Sequence, residues 1–252
     1  MIKKILKLLI IKPYRLLKIK QQLLEMQGLL GISTVQSIRY LTVLFLDRKF
    51  HNYINKKIKI AHMVCRNSKL GGWIDILDSC LIYIVVRHIK PNIMIETGVG
   101  PGGSSAFILK ALNDNKKGIL YSIDLPGNDA LVYPELGKNF NIHIPKGWKT
   151  GWLIPEYLKY RHKLIFGDSR QELPKLLKKI NKIDVFLHDS LHTDEHILME
   201  LQAVSPFMND GSILLCDDVN ERWSLAFAKF CKNRRIPFMV INNRLGIAKY
   251  EK

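Results

Sequence analysis

Ile93-Met94-Ile95-Glu96-Thr97-Gly98-Val99-Gly100-Pro101-Gly102-Gly103-Ser104-Ser105 is the stretch whose reading decides the fold. A short apolar run behind Pro91 and Asn92 reads as a buried parallel strand. The glycines, followed by Ser104, Ser105 and the apolar-periodic Ala106, Phe107, Leu109, Ala111 and Leu112, read as a tight turn opening a helix. Glycine lets the backbone take positive φ and approach a ligand closely. The free N–H groups of a first helical turn favour an anionic or carboxylate-bearing ligand. A nucleotide-like molecule is therefore expected on this loop.

Gly98, Gly100 and Gly103 satisfy G-x-G-x-x-G, which makes a nicotinamide or flavin dinucleotide the first candidate and an NAD(P)-dependent oxidoreductase the alternative function. Glu96 argues the other way. A carboxylate two residues before the first glycine repels a pyrophosphate and suits a ligand bearing an ammonium or sulfonium charge, so S-adenosylmethionine is preferred. A glycine-rich turn with no ligand is disfavoured, because four glycines in six residues destabilise a turn that needs one.

Outward from this stretch, segments alternate. Strands are expected at 93–96, 118–123, 163–166, 183–187 and 212–216, and helices at 104–112, 170–180, 193–203 and 221–232, with Trp73–His88 forming a helix that leads through Pro91 into the first strand. Such alternation implies a parallel sheet with helices on both faces. Ile236–Ile241, Asn242-Asn243 and Leu245–Tyr250 read as a closing hairpin, so one terminal strand should be antiparallel. Gly71-Gly72 marks the expected boundary between a helical, basic N-terminal extension, 1–70, and an α/β domain, 71–252.

The composition, 47% apolar and 24% charged over 252 residues, supports one large domain plus an appendage. Cys65, Cys80, Cys216 and Cys231 show no metal-ligand spacing and read as reduced, buried thiols of a cytoplasmic protein. No run approaches the ~18 apolar residues of a membrane span. Of the net charge of +17, residues 1–60 hold 13 Lys/Arg against Glu25 and Asp47. In Met1–Leu9 a helical reading sets Lys3, Lys4 and Lys7 opposite Ile2, Ile5, Leu8 and Leu9. That amphipathic face suits peripheral contact with an anionic inner membrane surface, or packing on the main domain or a second subunit of a homo-oligomer.

In open α/β sheets the ligand sits beyond the carboxyl ends of the strands. Here each strand ends in an acid. Asp124 follows Ser122-Ile123 and is placed for a ribose diol; Asp168 follows Phe166-Gly167, where an adenine amino group could be held; Asp189 and His192 follow His188; Asp217 and Asp218 follow Cys216. A single such Asp is often a helix N-cap. Acids at every strand end ask for a further reason.

Taken together, Glu96-Thr97-Gly98-x-Gly100-x-Gly102, Ile123-Asp124, Gly167-Asp168, His188-Asp189-Ser190-Leu191-His192 and Asp217-Asp218-Val219 resemble a class I S-adenosylmethionine-dependent methyltransferase. The likeness is to the branch of metal-dependent sugar and macrolide O-methyltransferases and cephalosporin-hydroxylase-like proteins, and it covers about 71–252. It implies a Rossmann-like, seven-stranded, mostly parallel sheet with an antiparallel C-terminal hairpin strand. It also implies that Glu96, Gly98 and Gly100 hold the methionine end of the cofactor, Asp124 the ribose and Asp168 the adenine side, with Gly102 and Ser104 also among the cofactor-binding residues. The family places Mg²⁺ on Asp189, Asp217 and Asp218. Hard oxygen ligands suit that ion, which lowers the pKa of a bound hydroxyl and holds it towards the sulfonium. His192 stands three residues after Asp189, where catechol-type relatives carry a lysine, and is the expected base alongside Asp189. Asp217-Asp218 as mere helix cap, with Asp189 orienting a hydroxyl directly, is the metal-free alternative.

His196 reads as an ordinary helix residue and His188 as a satisfied core histidine. The long stretch from Pro126 to Arg161, with Trp148, Trp152, Tyr157, Lys146 and Lys149, reads as a loop that encloses substrate and part of the cofactor, or whose aromatics form a small satellite core. The expected activity is metal-assisted O-methylation of a small polyhydroxylated molecule: a sugar, a glycoconjugate or a secondary metabolite. The high positive charge raises an RNA methyltransferase as a rival. Base-amino methylation normally uses an Asp/Asn-Pro-Pro-aromatic motif where this chain has His188-Asp189-Ser190-Leu191, so a nucleic-acid partner is not expected.

Overall fold

A computed structural model describes residues 13–64, 75–125, 131–133, 138–140 and 147–251. The expected amphipathic face in Met1–Leu9, the boundary at Gly71-Gly72 and parts of the enclosing loop (126–130, 134–137 and 141–146) lie outside them. Among the described residues three helices come first: α1 (Pro13–Leu30), α2 (Thr34–Leu46) and α3 (Arg48–Val64). Next come α4 (Ile76–Ile89), β1 (Ile93–Thr97), α5 (Gly103–Asp114), β2 (Ile119–Asp124) and the short pair β3 (Leu131–Tyr133) and β4 (Lys138–Phe140). The chain continues through β5 (His162–Phe166), α6 (Ser169–Leu177), β6 (Ile183–His188), α7 (Asp194–Val204), β7 (Met208–Cys216), α8 (Ala226–Asn233), β8 (Phe238–Ile241) and β9 (Leu245–Lys249).

The main sheet has seven strands in the order β5-β2-β1-β6-β7-β9-β8. All neighbours are parallel except those of β9, which runs antiparallel to both β7 and β8. Asn242 and Asn243 make the hairpin turn with φ of 59° and 52°, the left-handed conformation that two-residue hairpins need and Asn tolerates. The expected Rossmann-like architecture is thus present.

Alternation along the strands builds two apolar layers. Met94, Val185, Leu187, Ile213, Leu215 and Ile247 point to one face; Ile95, Phe186, Leu214, Cys216 and Ala248 point to the other. α6, α7 and α8 cover the second face. The first is covered by α4 and α5, and outside them by the N-terminal helices, whose Leu23, Met26, Leu44, Phe50 and Ile54 join the same cluster. Double cover explains why α4 is buried without a break from Asp78 to Val86. Phe50 meets Phe107 of α5 edge-on at 5.2 Å, and the buried Lys110 pairs with Asp47 at 3.1 Å and Asp114 at 2.5 Å. The N-terminal helices therefore form one layer of a shared core.

Local chemistry moves several boundaries. α4 starts at Ile76, because the Asp75 carboxylate accepts from the Leu77 N–H at 2.8 Å and caps it there. α8 starts at Ala226 and not at 221, because Asn220 Oδ1 accepts from the N–H groups of Arg222 and Trp223 and holds a turn. The stretch expected to be irregular carries the β3–β4 pair and a 3₁₀ turn at Glu156–Arg161.

Candidate active site

The glycine loop follows the carboxyl end of β1, in the middle of the sheet. Gly98 has φ of 84°, and a Cβ there would lie 1.9 Å from the Asp189 carbonyl oxygen, so only glycine lets the loop rest on the end of β6. Gly102, the N-cap of α5 at φ 87°, is covered by residues 151–154: Gly151 and Leu153 N–H groups donate to the carbonyls of Gly100 and Pro101 at 2.8 and 2.9 Å. A Cβ at Gly102 would meet Ile154 Cγ1 at 2.8 Å. Two of the glycines read as ligand-facing thus answer first to protein packing. Gly100 instead donates its N–H to Asp124 Oδ2 at 3.0 Å, and Leu125 N–H donates to Oδ1 at 3.0 Å. Burial raises the Asp124 carboxyl to about 6 against the pull of these N–H groups.

Glu96 is fully buried, and its carboxylate accepts the hydroxyls of Ser104 and Ser105, each at 2.6 Å, and of Ser122 at 2.9 Å. Burial pushes its pKa up to about 7, with the three hydroxyls pulling back. Ser104, read from sequence as a cofactor contact, spends its hydroxyl on this cage and is itself buried. Asp168 caps α6, accepting from the Arg170 N–H at 2.9 Å, and the Arg170 guanidinium lies across its carboxylate and holds its pKa down.

Beyond the ends of β6 and β7 the acids converge. One ligand atom each of Asp189, His192 and Asp217 lies within 4.8 Å of the others. His192 Nε2 stands 3.9 Å from Asp189 Oδ1 and 4.0 Å from Asp218 Oδ2, too far for hydrogen bonds. The compact set therefore contains His192 beside two of the three acids expected to hold a metal. Asp218, left-handed at φ 55°, faces the same side chains.

Arg244, on the turn before β9, was not singled out from the sequence. Its Nε and Nη2 donate to the two oxygens of Asp217 at 3.1 Å each, and its Nε lies 3.1 Å from Asp218 Oδ1. Three carboxylates thus share one guanidinium, and the surplus shows in their proton affinity. Burial, then the Asp217 charge, raise Asp189 well above the usual carboxylate range, and the same two causes take Asp218 to about 6. Burial, with His188 and Arg244 nearby, lowers His192 to about 3, so its imidazole is neutral.

Glu200 was also missed. Fully buried on α7, it accepts from Thr97 Oγ1 at 2.6 Å and Ser190 Oγ at 3.0 Å, and pairs with His188 Nδ1 at 2.7 Å and His196 Nε2 at 3.0 Å. Burial opposes its ionisation, but the His188 imidazole more than reverses this and holds the pKa well below normal. His188 is satisfied on that side alone, since its Nε2 has no partner, and its ring meets that of His192 edge-on at 5.5 Å. The signal lay in α7: Glu200 and His196 fall on the same face as Ile197, Leu201 and Val204, where an unpaired charge is not tolerated. For Arg244 the signal was weaker, a cluster of acids that lacked a counter-charge.

Residues 95–219 match a family model described as a methyltransferase domain. No protein of curated function matches the chain. Among solved structures, the chain is similar to the S-adenosylhomocysteine-bound methyltransferase PaMTH1 of Podospora anserina, with a TM-score of 0.53 and 12% identity over 78% of this chain and 88% of that one. It is similar to the O-methyltransferase TomG of Streptomyces achromogenes, solved with S-adenosylmethionine, at a TM-score of 0.52 and 14% identity over 79% and 90%. An O-methyltransferase from Bacillus cereus gives 0.52 and 9% identity over 79% and 91%. The dinucleotide alternative falls with these matches and with the antiparallel β9 inserted between β7 and β8, which the all-parallel dinucleotide order lacks. The chain carries a class I S-adenosylmethionine-dependent methyltransferase domain.

Proposed function

We infer that the protein moves the methyl group of S-adenosylmethionine to a hydroxyl oxygen of a small polyhydroxylated acceptor, a sugar, glycoconjugate or secondary metabolite, with help from a divalent cation. The observation that carries this reading is the meeting of Asp189, His192 and Asp217 beside the glycine loop, with Gly98 packed on the Asp189 carbonyl. That contact sets the donor loop and the acidic cluster side by side, as an in-line transfer requires. The O-methyltransferase structures named above share the fold that supports it.

The donor set fits a cation: two carboxylates and a neutral imidazole converge, and one guanidinium leaves the three acids under-compensated. Asp189 and Asp217 would hold the ion, with Asp218 or His192 completing the set. The ion would supply a Lewis acid that polarises the acceptor hydroxyl. Arg244 orients the Asp217 carboxylate through both of its oxygens. His192, neutral because it is buried, carries one unprotonated ring nitrogen with which to take the hydroxyl proton. The carboxylates of Asp189 and Asp218, about 4 Å away, stabilise the imidazolium that results. On the donor side, Asp124 at the end of β2 would take the ribose, and the α5 N-terminus would take the methionine carboxylate.

The test is a panel of sugars, phenols and other polyols incubated with labelled S-adenosylmethionine, with Mg²⁺ or Mn²⁺ and with chelator. Transfer to a polyol that stops on chelation, with S-adenosylhomocysteine affinity intact, supports the reading. Full turnover in excess chelator removes the metal and leaves His192 with Asp189 as base and orienter. Methylation of amines or RNA alone removes the substrate class.

A further inference from the structure

Of the large apolar side chains exposed among the described residues, Leu24, Val35, Ile38, Val43 and Leu46 lie on α1 and α2. At ~100° per residue, Val35, Ile38, Thr42, Val43 and Leu46 share one face of α2, with the exposed Arg39 among them. The buried Ser37 and Leu44 lie opposite, with the buried Phe45 at the edge between the two faces. α2 is therefore apolar on both sides, with only one side used by the core. A single residue, Asp47, joins it to α3, and Asp47 turns inward to Lys110 at 3.1 Å. α3 exposes Arg48, Lys49, Lys56 and Lys59, and no acid occurs between Asp47 and Asp75. Arg39 and these cations, Lys49 over Tyr157 excepted, have no ion-pair or ring partner among the described residues. An apolar face thus adjoins an unneutralised cationic one.

We propose that α2 and α3 form a docking surface for an anionic lipid bilayer, with Val35, Ile38, Val43 and Leu46 entering the interface and Arg48, Lys56 and Lys59 meeting lipid phosphates. The charge complementarity selects this occupant: apolar side chains flanked by lysine and arginine alone match acyl chains beneath anionic headgroups. The helices lie along the surface. Among the described residues no single helix is long and apolar enough to cross a membrane, and although Gln21–Leu30 and Thr34–Leu46 together have the length and hydropathy, they are bent by 114°. α3 also reaches the cofactor loop, since the Tyr53 hydroxyl donates to the Ile154 carbonyl at 3.3 Å in the segment covering Gly102. Docking would bring the methyltransferase site to acceptors held at a membrane.

The experiment is co-sedimentation of the full chain with phosphatidylcholine vesicles and with phosphatidylcholine–phosphatidylglycerol vesicles at low and high salt. Light scattering gives the oligomeric state. The chain is expected to pellet with the anionic vesicles alone and less at high salt. Val35→Asp with Leu46→Asp should abolish pelleting without lowering the melting temperature, because both side chains are more than half exposed. Lys56→Gln with Lys59→Gln should weaken partitioning roughly 25-fold, at about fivefold per charge. Failure of the wild-type chain to pellet, or undiminished pelleting by the Asp variant, overturns the proposal. So does a dimer that the Asp variant converts to monomer, which would assign the face to a second copy. Turnover does not enter, so the outcome is independent of the methyl-transfer reading.

Discussion

Replacing Arg244 by Gln removes the cation that is ion-paired with the acidic cluster. In the wild type its guanidinium makes two 3.1 Å bonds to Asp217, which is 2% exposed, and stands 3.1 Å from Asp218. Breaking a buried ion pair from one side costs about 3–5 kcal/mol, because the remaining charge stays desolvated. The Arg244 side chain is 32% exposed, so water recovers part of this, and ~2–3 kcal/mol is the expected loss. At about 2–4 °C per kcal/mol for a chain of this size, the melting temperature should fall by roughly 4–12 °C in chelator. Two additions should shrink the deficit. A divalent cation at a hundred times its Kd adds ~2.7 kcal/mol, and it should stabilise the variant more than the wild type. Lowering the pH below about 6 should also help, since Asp218 then carries a proton. Differential scanning calorimetry with and without Mg²⁺ or Mn²⁺ measures all three. An unchanged melting temperature in chelator, or a variant that cations do not rescue, would refute the view that the three acids are short of positive charge.

Three further outcomes are expected. The Glu96 pKa of about 7 lies above its ordinary 4.5, so the folded state holds the extra proton between those values and the wild type loses stability as pH rises through 7. Glu96→Gln lacks that loss, and its stability relative to wild type should climb by up to ~3 kcal/mol from pH 4 to pH 9; parallel denaturation curves would exclude the linkage. His192→Ala should lower kcat by roughly 10²–10⁴-fold with S-adenosylhomocysteine affinity unchanged. A concurrent loss of Mn²⁺ affinity by calorimetry would assign His192 to the ion and not to the proton. Phe50→Ala should cost about 3–5 kcal/mol and shift a single unfolding transition, because Phe50 is fully buried against Phe107; two resolved transitions would mean that the N-terminal helices fold separately.

The architecture was legible because its signals are local and repeated. Apolar runs ended in acids five times, and the Asn242-Asn243 turn announced the antiparallel strand before any pairing was known. Positions of the candidate residues followed from inspecting the strand ends, where ligands gather in such sheets. Partnerships did not follow, because they depend on packing between distant segments. Nothing near Gly98 in sequence says that Asp189 will press on it, and nothing near Asp217 says that residue 244 will neutralise it. The same limit hid the serine cage of Glu96: Ser104 and Ser105 come from one helix turn and Ser122 from the neighbouring strand. The N-terminal helices read as an appendage since their apolar faces match the sheet only after folding, through residues such as Phe50 and Lys110.

The most direct measurement is a calorimetric titration of the chain and of its Gly100→Val variant with S-adenosylhomocysteine and, separately, with NADH. Gly100 donates its N–H to Asp124 at 3.0 Å and takes φ of 49°, so a β-branched side chain there strains the loop and blocks the approach of a ligand. The account predicts saturable binding of S-adenosylhomocysteine by the wild type, none by the folded variant, and no heat with NADH. Binding of NADH in place of S-adenosylhomocysteine, or equal S-adenosylhomocysteine affinity in both proteins, would contradict it.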